Sequence, residues 1–284
     1  MHILAATDFS TRSNRALRQA GLLAQASGAK LHLVHVVDDD QPEKMVRVEE
    51  REAERILAEQ IGSMPELRNV ETAPVVATGD PFDGILRTAG EIRPDLIVMG
   101  SHRGDLLDIF TGTTIERVIR KGRFPVLMVK HQAQRKYEKV VAPTDMSEAS
   151  AHALKVALSR GLIGEKGGTL LHAFSTLMKG KMSVAGLDRA SIDDYVADER
   201  RRVLGDLAAF MAVNDLQKTR WSLRAEEGGP MQIISRAVSE MRPDLLVMGT
   251  HGRSGLLKML IGSVTEEALR SLDVDVLAVP PAAG

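Results

Sequence analysis

The residues best suited to chemistry lie near the end of the chain. In GTHGRSGLLKMLIGSVTEEALRSL, glycines stand at Gly249, Gly252, Gly255 and Gly262, with Arg253 and Lys258 between them and Ser263 opening a helical pattern. These types suit a phosphate group. Glycine lets the backbone approach a ligand closely and adopt φ > 0. Successive backbone N–H groups form an anion nest, and a helix N-terminus adds free donors and the positive end of its dipole. Ser263 and Glu266 fit the S-x-x-E capping box, which predicts a side-chain cap on that helix. A carboxylate, Asp145, follows the apolar run KVVAPT. It can accept hydrogen bonds from a ribose hydroxyl or cap the next helix; Ser147 stands closer to the helical pattern and competes for the capping role.

The same pattern occurs earlier. MHILAATDFSTRSNRAL matches KVVAPTDMSEASAHAL, so Asp8 pairs with Asp145 and Ser10 with Ser147. His35 pairs with His172, and RPDLIVMGSH, from Arg93, pairs with RPDLLVMGTH, from Arg242. The spacing between matches grows from 137 to 149 residues, which places an insertion in the second copy, expected between Gly180 and Tyr195. A repeat of this length is a duplicated domain rather than a solenoid of short units. The expected boundaries are 1–130 for the first domain, the polar stretch His131 to Glu138 for a linker, and 139–284 for the second domain.

The first copy departs at the loop. It reads GSHRGDLLDIFTGTTIERVI, one residue shorter from Gly100 to Gly112, with Asp105 and Asp108 where the second copy has Gly255 and Lys258. A carboxylate 4 Å from a phosphate charge costs about 1 kcal/mol at the dielectric of bulk water and about 4 near a protein surface. The first site is therefore expected to be weakened, altered or lost, while Thr113 and Glu116 keep a capping box.

These loops need strands and helices to hold them. HILAAT, LHLVHVV, VETAPVVAT, DLIVMG and VLMVK are short apolar runs separated by amphipathic stretches, from Arg12 to Ser27, around Glu43 to Ile61, from Phe82 to Ile92 and from Thr113 to Lys121. Continuous apolar runs indicate strands buried on both faces of a parallel sheet. Alternating β and α predicts an α/β fold: two tandem doubly wound domains, each a five-stranded, mostly parallel sheet with helices on both faces. Ligands of such sheets bind beyond the carboxyl ends of the strands, where the strand order reverses.

Composition narrows the function further. The chain is 284 residues long, 44% hydrophobic, with a net charge of −1 and 3% aromatics. That argues against a nucleic-acid surface, which needs a basic stripe or stacking platforms. With no cysteine, thiolate catalysis and cysteine-ligated metal sites are excluded. No apolar run reaches the roughly 20 residues of a membrane span, and the N-terminus lacks the pattern of a signal peptide, so a cytoplasmic protein is expected. No HExxH, G-x-S-x-G or Walker A motif occurs. His35 and His172, in apolar strands, are expected to be satisfied core histidines. His102 and His251 follow the fourth strand of each copy, where either a phosphate contact or loop packing fits. The run EEREAERILAE, with opposite charges three and four apart, reads as a solvated helix face.

These features together resemble the universal stress protein family. Its ATP-binding signature, Gly, two residues, Gly, nine residues, then Gly with Ser or Thr, is met by Gly249, Gly252, Gly262 and Ser263. The early Thr-Asp, the His after strand two, and Gly79 to Pro81 with Gly228 to Pro230 are similar as well, and the resemblance covers nearly the whole chain twice. It implies five-stranded parallel sheets whose two copies pack like a dimer within one chain, with a homodimer of such chains also conceivable. It implies that Pro143, Thr144 and Ala173 line an adenine pocket and that Asp145 contacts the ribose or adenine end. Gly249, Gly252, Arg253, Gly262, Ser263 and Val264 would surround ribose and phosphates, with Mg²⁺ held through the phosphates of ATP, ADP or AMP. In the first copy Asp8, Val36, Gly100, Gly112 and Thr113 mark a second, altered site. The expected function is a stress-response regulator that binds adenine nucleotide and contacts a protein partner, without nucleic acid or membrane. The alternatives are a slow ATPase and an interaction module without nucleotide.

Overall fold

The computed structural model describes residues 1–101, 113–132, 136–164, 167–251 and 261–282. The first half lays down β1 (His2–Ala6), α1 (Thr11–Ser27), β2 (Lys30–Val37), α2 (Glu43–Ser63), β3 (Thr72–Thr78), α3 (Pro81–Ile92), β4 (Leu96–Gly100), α4 (Thr114–Lys121) and β5 (Val126–Val129). The second half repeats the series with β6 (Val140–Pro143), α5 (Glu148–Ser159), β7 (Gly168–Phe174), β8 (Trp221–Glu227), α8 (Pro230–Met241), β9 (Leu245–Gly249), α9 (Ser263–Ser271) and β10 (Asp275–Val279). Between β7 and β8 lie two helices, α6 (Leu177–Val184) and α7 (Arg189–Val213), so the insertion adds a helix and a turn.

The strands form one ten-stranded sheet in the order β3-β2-β1-β4-β5-β10-β9-β6-β7-β8. All pairings are parallel within each half, as the apolar runs predict, and β5 meets β10 antiparallel. The two five-stranded sheets expected from the sequence are thus halves of one sheet. The reason is edge chemistry: β5 and β10 would each expose unpaired N–H and C=O groups, and pairing them satisfies both. The register centres on Leu277 opposite Leu127, with Val276 opposite Met128 and Ala278 opposite Val126. Leu127 and Leu277 are themselves matching positions of the two copies, so the seam has the self-complementary form of a two-fold interface.

The core crosses this seam on both faces. Ile3, Ala5, Leu127, Val140, Leu277 and Val279 belong to one apolar cluster, and Leu4, Ala6, Val126, Met128, Val141, Val276 and Ala278 to the other. Alternate residues of each strand feed opposite clusters, as the two-residue period of a strand requires. The stretch expected as a polar linker also enters the core. Tyr137 is buried, and its hydroxyl donates to Asp275 Oδ2 at 2.7 Å. Asp275 also accepts from the backbone N–H groups of Lys130 and His131. A single aromatic in a polar segment has no periodicity to announce its burial. On α2, Arg55 pairs with Glu52 and Glu59, and only Ala53 and Leu57 are buried, so the charged run is the solvated face its spacing predicts.

Candidate functional site

In each half, the strand order reverses beside the first strand: β1 sits between β2 and β4, and β6 between β7 and β9. A cavity opens at each reversal, at the carboxyl ends of the strands. The one in the second half encloses about 290 Å³. Its walls include Pro143, Thr144, Asp145, Ala173, Gly249, Gly262, Ser263 and Val264, eight of the residues singled out from the sequence. Gly252 and Arg253 lie outside the described residues.

The entrance is shaped by a turn that recurs in both halves. Met146 holds φ 59° and Phe9 holds φ 61°, left-handed values that are uncommon for side chains of this size. Each is fixed by its own N–H, which donates to the preceding Thr hydroxyl: Met146 to Thr144 Oγ1 at 2.9 Å, Phe9 to Thr7 Oγ1 at 3.0 Å. That hydroxyl in turn bonds a buried serine, Ser150 or Ser13. The following helices are capped by Ser147 and Ser10, not by the aspartates. Asp145 Oδ1 instead accepts from the backbone N–H of Ser147 at 3.1 Å and from its hydroxyl at 2.5 Å, closing an Asx turn. Asp8 Oδ1 closes the matching turn by accepting from the backbone N–H of Ser10 at 3.0 Å. Burial pushes the Asp8 carboxyl up, but the hydrogen bonds from Ser10 and Ser13 outweigh it and leave the pKa below the usual value, so it stays ionised. His172 Nδ1 donates to the Thr144 carbonyl at 2.7 Å, and His35 to the Thr7 carbonyl at 2.9 Å. Both are satisfied, as expected, and tie the turn to the neighbouring strand.

The cavity floor is apolar: Leu171, Ile233, Ile234 and Met248. None of these was singled out from sequence, although Ile233 and Ile234 fall on the inward face of α8, where helical periodicity would place them. The floors of the two halves are matched in opposite senses. In the first, a Cβ on Gly84 would come within 2.7 Å of Val36 Cγ1, so the larger wall residue is accommodated by a glycine. The matching pair in the second half is Ala173 with Ile233.

The decisive difference lies at the helix that starts in the cavity wall. In the first half Thr113 caps α4 and forms the full box: Glu116 N donates to Thr113 Oγ1, and Thr113 N donates to Glu116 Oε2. The box expected from Ser263 and Glu266 does not form. Helix α9 starts one residue earlier, with Gly262 as N-cap and no side-chain cap. Glu266 is drawn to Arg270 at 3.0 Å and Arg120 at 3.8 Å. Helix α9 therefore presents its first turn to the cavity with a glycine N-cap that supplies no side-chain cap, while α4 is closed by its own carboxylate. His251 sits nearby. Its Nδ1 contacts Thr250 Oγ1 at 2.9 Å, and its Nε2 is buried without a hydrogen-bond partner. A buried, unpartnered ring nitrogen on a cavity wall is costly. Among the described residues no three His, Asp or Glu side chains gather as metal ligands.

The first-half cavity encloses about 250 Å³ and is walled by Thr7, Asp8, Arg12, Val36, Met99 and Gly100 among others. Thr113 sits as the N-cap directly before the wall residues Thr114 and Ile115. Gly112, His102, Asp105 and Asp108 lie outside the described residues.

The profile of the universal stress protein family matches residues 1–130 and again 136–280. The chain belongs to the universal stress protein family. A universal stress protein of Methanocaldococcus jannaschii is 28% identical over 154 residues, covering 50% of this chain and 94% of that protein. Universal stress protein E of Escherichia coli is 24% identical over 220 residues, spanning 73% of this chain and 67% of its own. The crystal structure of a universal stress protein from Archaeoglobus fulgidus superposes with a TM-score of 0.73 at 18% identity, over 99% of this chain and 96% of that one, and shows the same fold. No described helix is long and apolar enough to cross a membrane.

Proposed function

We propose that this universal stress protein is a regulator that binds an adenine nucleotide in its second half. The observation that carries the reading is the first turn of α9, whose glycine N-cap supplies no side-chain cap, in the wall of the same cavity as the Asp145 turn. The helix start and its dipole favour an anion beside α9, and the Asp145 carboxylate favours a hydroxylated sugar. The apolar floor of Leu171, Ile233, Ile234 and Met248 suits a planar base. In this reading Pro143, Thr144 and Ala173 flank the base. Gly249, Gly252, Arg253, Gly262, Ser263 and Val264 surround ribose and phosphates, mostly through backbone groups, and His251 Nε2 gains the partner it lacks. Magnesium would travel with the phosphates. Nucleotide acts by favouring one conformation and so altering contacts with a protein partner.

The test is calorimetric titration of ATP with Mg²⁺ into nucleotide-stripped protein, beside the Gly252→Ala/Gly262→Val double variant. One ATP per chain in the wild type, lost in the variant, is the expected result. A well-folded wild type that binds no adenine nucleotide overturns the proposal.

A further inference from the structure

We propose that the cleft at the amino ends of β6, β7 and β8 is a further binding site, for a small organic carboxylate with an apolar body. It lies at the opposite end of β6 from the Asp145 turn and stands independently of the nucleotide reading. The cleft holds about 600 Å³. Val141, Trp221, Met241 and Pro243 give it apolar walls, and Lys139, Thr169 and Arg220 stand among them.

The matching place in the first half is closed by internal pairs. His2 Nδ1 and His32 Nε2 share a hydrogen bond at 3.1 Å, and Lys30 Nζ pairs with Glu71 at 2.7 Å. The strand registers put Lys139 and Thr169 where His2 and His32 stand, and Gly167 and Arg220 where Lys30 and Glu71 stand. The backbone repeats as well: Gly168 N donates to the Arg220 carbonyl as Leu31 N does to that of Glu71. Both pairs are therefore dissolved in the second half. The acid has become a base, and its lysine is gone. Lys139 and Arg220 form no ion pair or side-chain hydrogen bond among the described residues. Asp244 beside them accepts from the backbone N–H groups of Glu138 and Lys139. Glu138, the one carboxylate of the described wall, is engaged within the protein.

Trp221 supplies an independent observation. Its Nε1 is buried with no hydrogen-bond partner, although a buried indole N–H ordinarily finds one. The ring fits because Gly168 makes room for it. A Cβ there would lie 3.0 Å from Trp221 Cζ3 and 2.8 Å from the Val140 carbonyl oxygen, at the position where the first half carries Leu31. Two free cations and an N–H that only donates call for a ligand that brings acceptors. The planar fork of Arg220 matches a carboxylate, and the apolar walls suit a ring or a short chain. Helix α8 ends at Met241 in the same wall, so the negative end of its dipole weighs against the double charge of a phosphate.

Trp221 is the only tryptophan of the chain, so its emission reports on the site directly. The probe is benzoate, titrated into the full chain and followed by fluorescence and calorimetry. One equivalent per chain should bind with a Kd of about 1 mM or tighter, as a ligand of this size permits, and shift the emission. Benzamide, its neutral isostere, should bind about tenfold more weakly. Arg220→Glu, which restores the acid of the first half at an exposed position, should abolish binding with an unchanged circular dichroism spectrum. Lys139→Gln, also exposed, should weaken it severalfold, and so should Trp221→Phe, read by calorimetry. The ATP titration should be the same in all three variants. The proposal is overturned if benzoate fails to bind at about 10 mM, if benzamide binds equally well, if folded Arg220→Glu and Lys139→Gln both bind as the wild type does, or if inorganic phosphate competes as strongly as benzoate.

Discussion

Glu116 joins the two halves, and removing its partner gives a measurable result. Arg270→Ala would leave a carboxylate that is 4% exposed with the Thr113 N–H as its remaining direct hydrogen-bond donor. Breaking a fully buried pair costs about 3–5 kcal/mol, whereas exposed pairs are worth about 0.2–1. Because the Arg270 side chain is half exposed and the carboxylate is not, the expected loss lies between, about 2 kcal/mol. For a chain of this size that is a fall in Tm of about 4–6 °C. The related pair is the internal control: Arg120 approaches Glu266 only to 3.8 Å, and both side chains are about one-third exposed, so Arg120→Ala should cost about 0.5 kcal/mol. The pH dependence has a definite sign. Burial raises the Glu116 pKa, but the hydrogen bonds from Arg270 and Thr113 and the nearby arginine charges lower it more, so its folded value lies below the usual 4.5. A lowered carboxyl stabilises the fold above the unfolded value, and that stability is lost as pH falls through the folded value. The gap between wild type and Arg270→Ala, read from urea midpoints, should therefore be full at neutral pH and shrink below about pH 4.5. Equal losses for the two arginine variants, or a gap that ignores pH, would refute the reasoning.

Two further perturbations probe the same framework. Asp275 has the opposite sign: burial raises its pKa above the usual 3.8, more than the bonds from Lys130, Tyr137 and His131 lower it. Its ionisation therefore costs stability as pH rises through the raised value, so Asp275→Asn, which keeps an acceptor and donates to Tyr137, should match or exceed wild type at neutral pH and lose that advantage below about pH 3.8; denaturation across pH checks this. Gly84→Ala should cost about 1–3 kcal/mol by overpacking, and adding Val36→Ala should recover most of it, because the clash is with the Val36 methyl groups; a double variant no better than the single would refute the pairing.

Much of this fold can be read from the sequence because its signals are local. Val-, Leu- and Ile-rich runs alternate with helical stretches, and the Thr-Asp turns recur at matching positions. The cavity walls from Pro143 to Val264 follow from placing those turns at strand ends. What sequence misplaces depends on competition at a distance. Ser263 and Glu266 have the spacing of a capping box, but Arg120 and Arg270 draw the carboxylate away, so only tertiary context decides between two equal motifs. Tyr137 is buried because Asp275, 138 residues later, waits for its hydroxyl. The merger of β5 with β10 is equally silent, since an edge strand and a central strand of this kind are spelled with the same residues.

The antiparallel seam has a consequence for how the halves could change over time. In a dimer of identical subunits the same gene specifies both sites, so any substitution alters both together. Here the partner is covalently attached, and association across β5 and β10 does not depend on protein concentration. Each half is thus free to drift while the shared sheet keeps it folded. Glu116 closing one helix start, and Gly262 leaving its counterpart open, is a division of labour that only a fused pair can inherit as a unit.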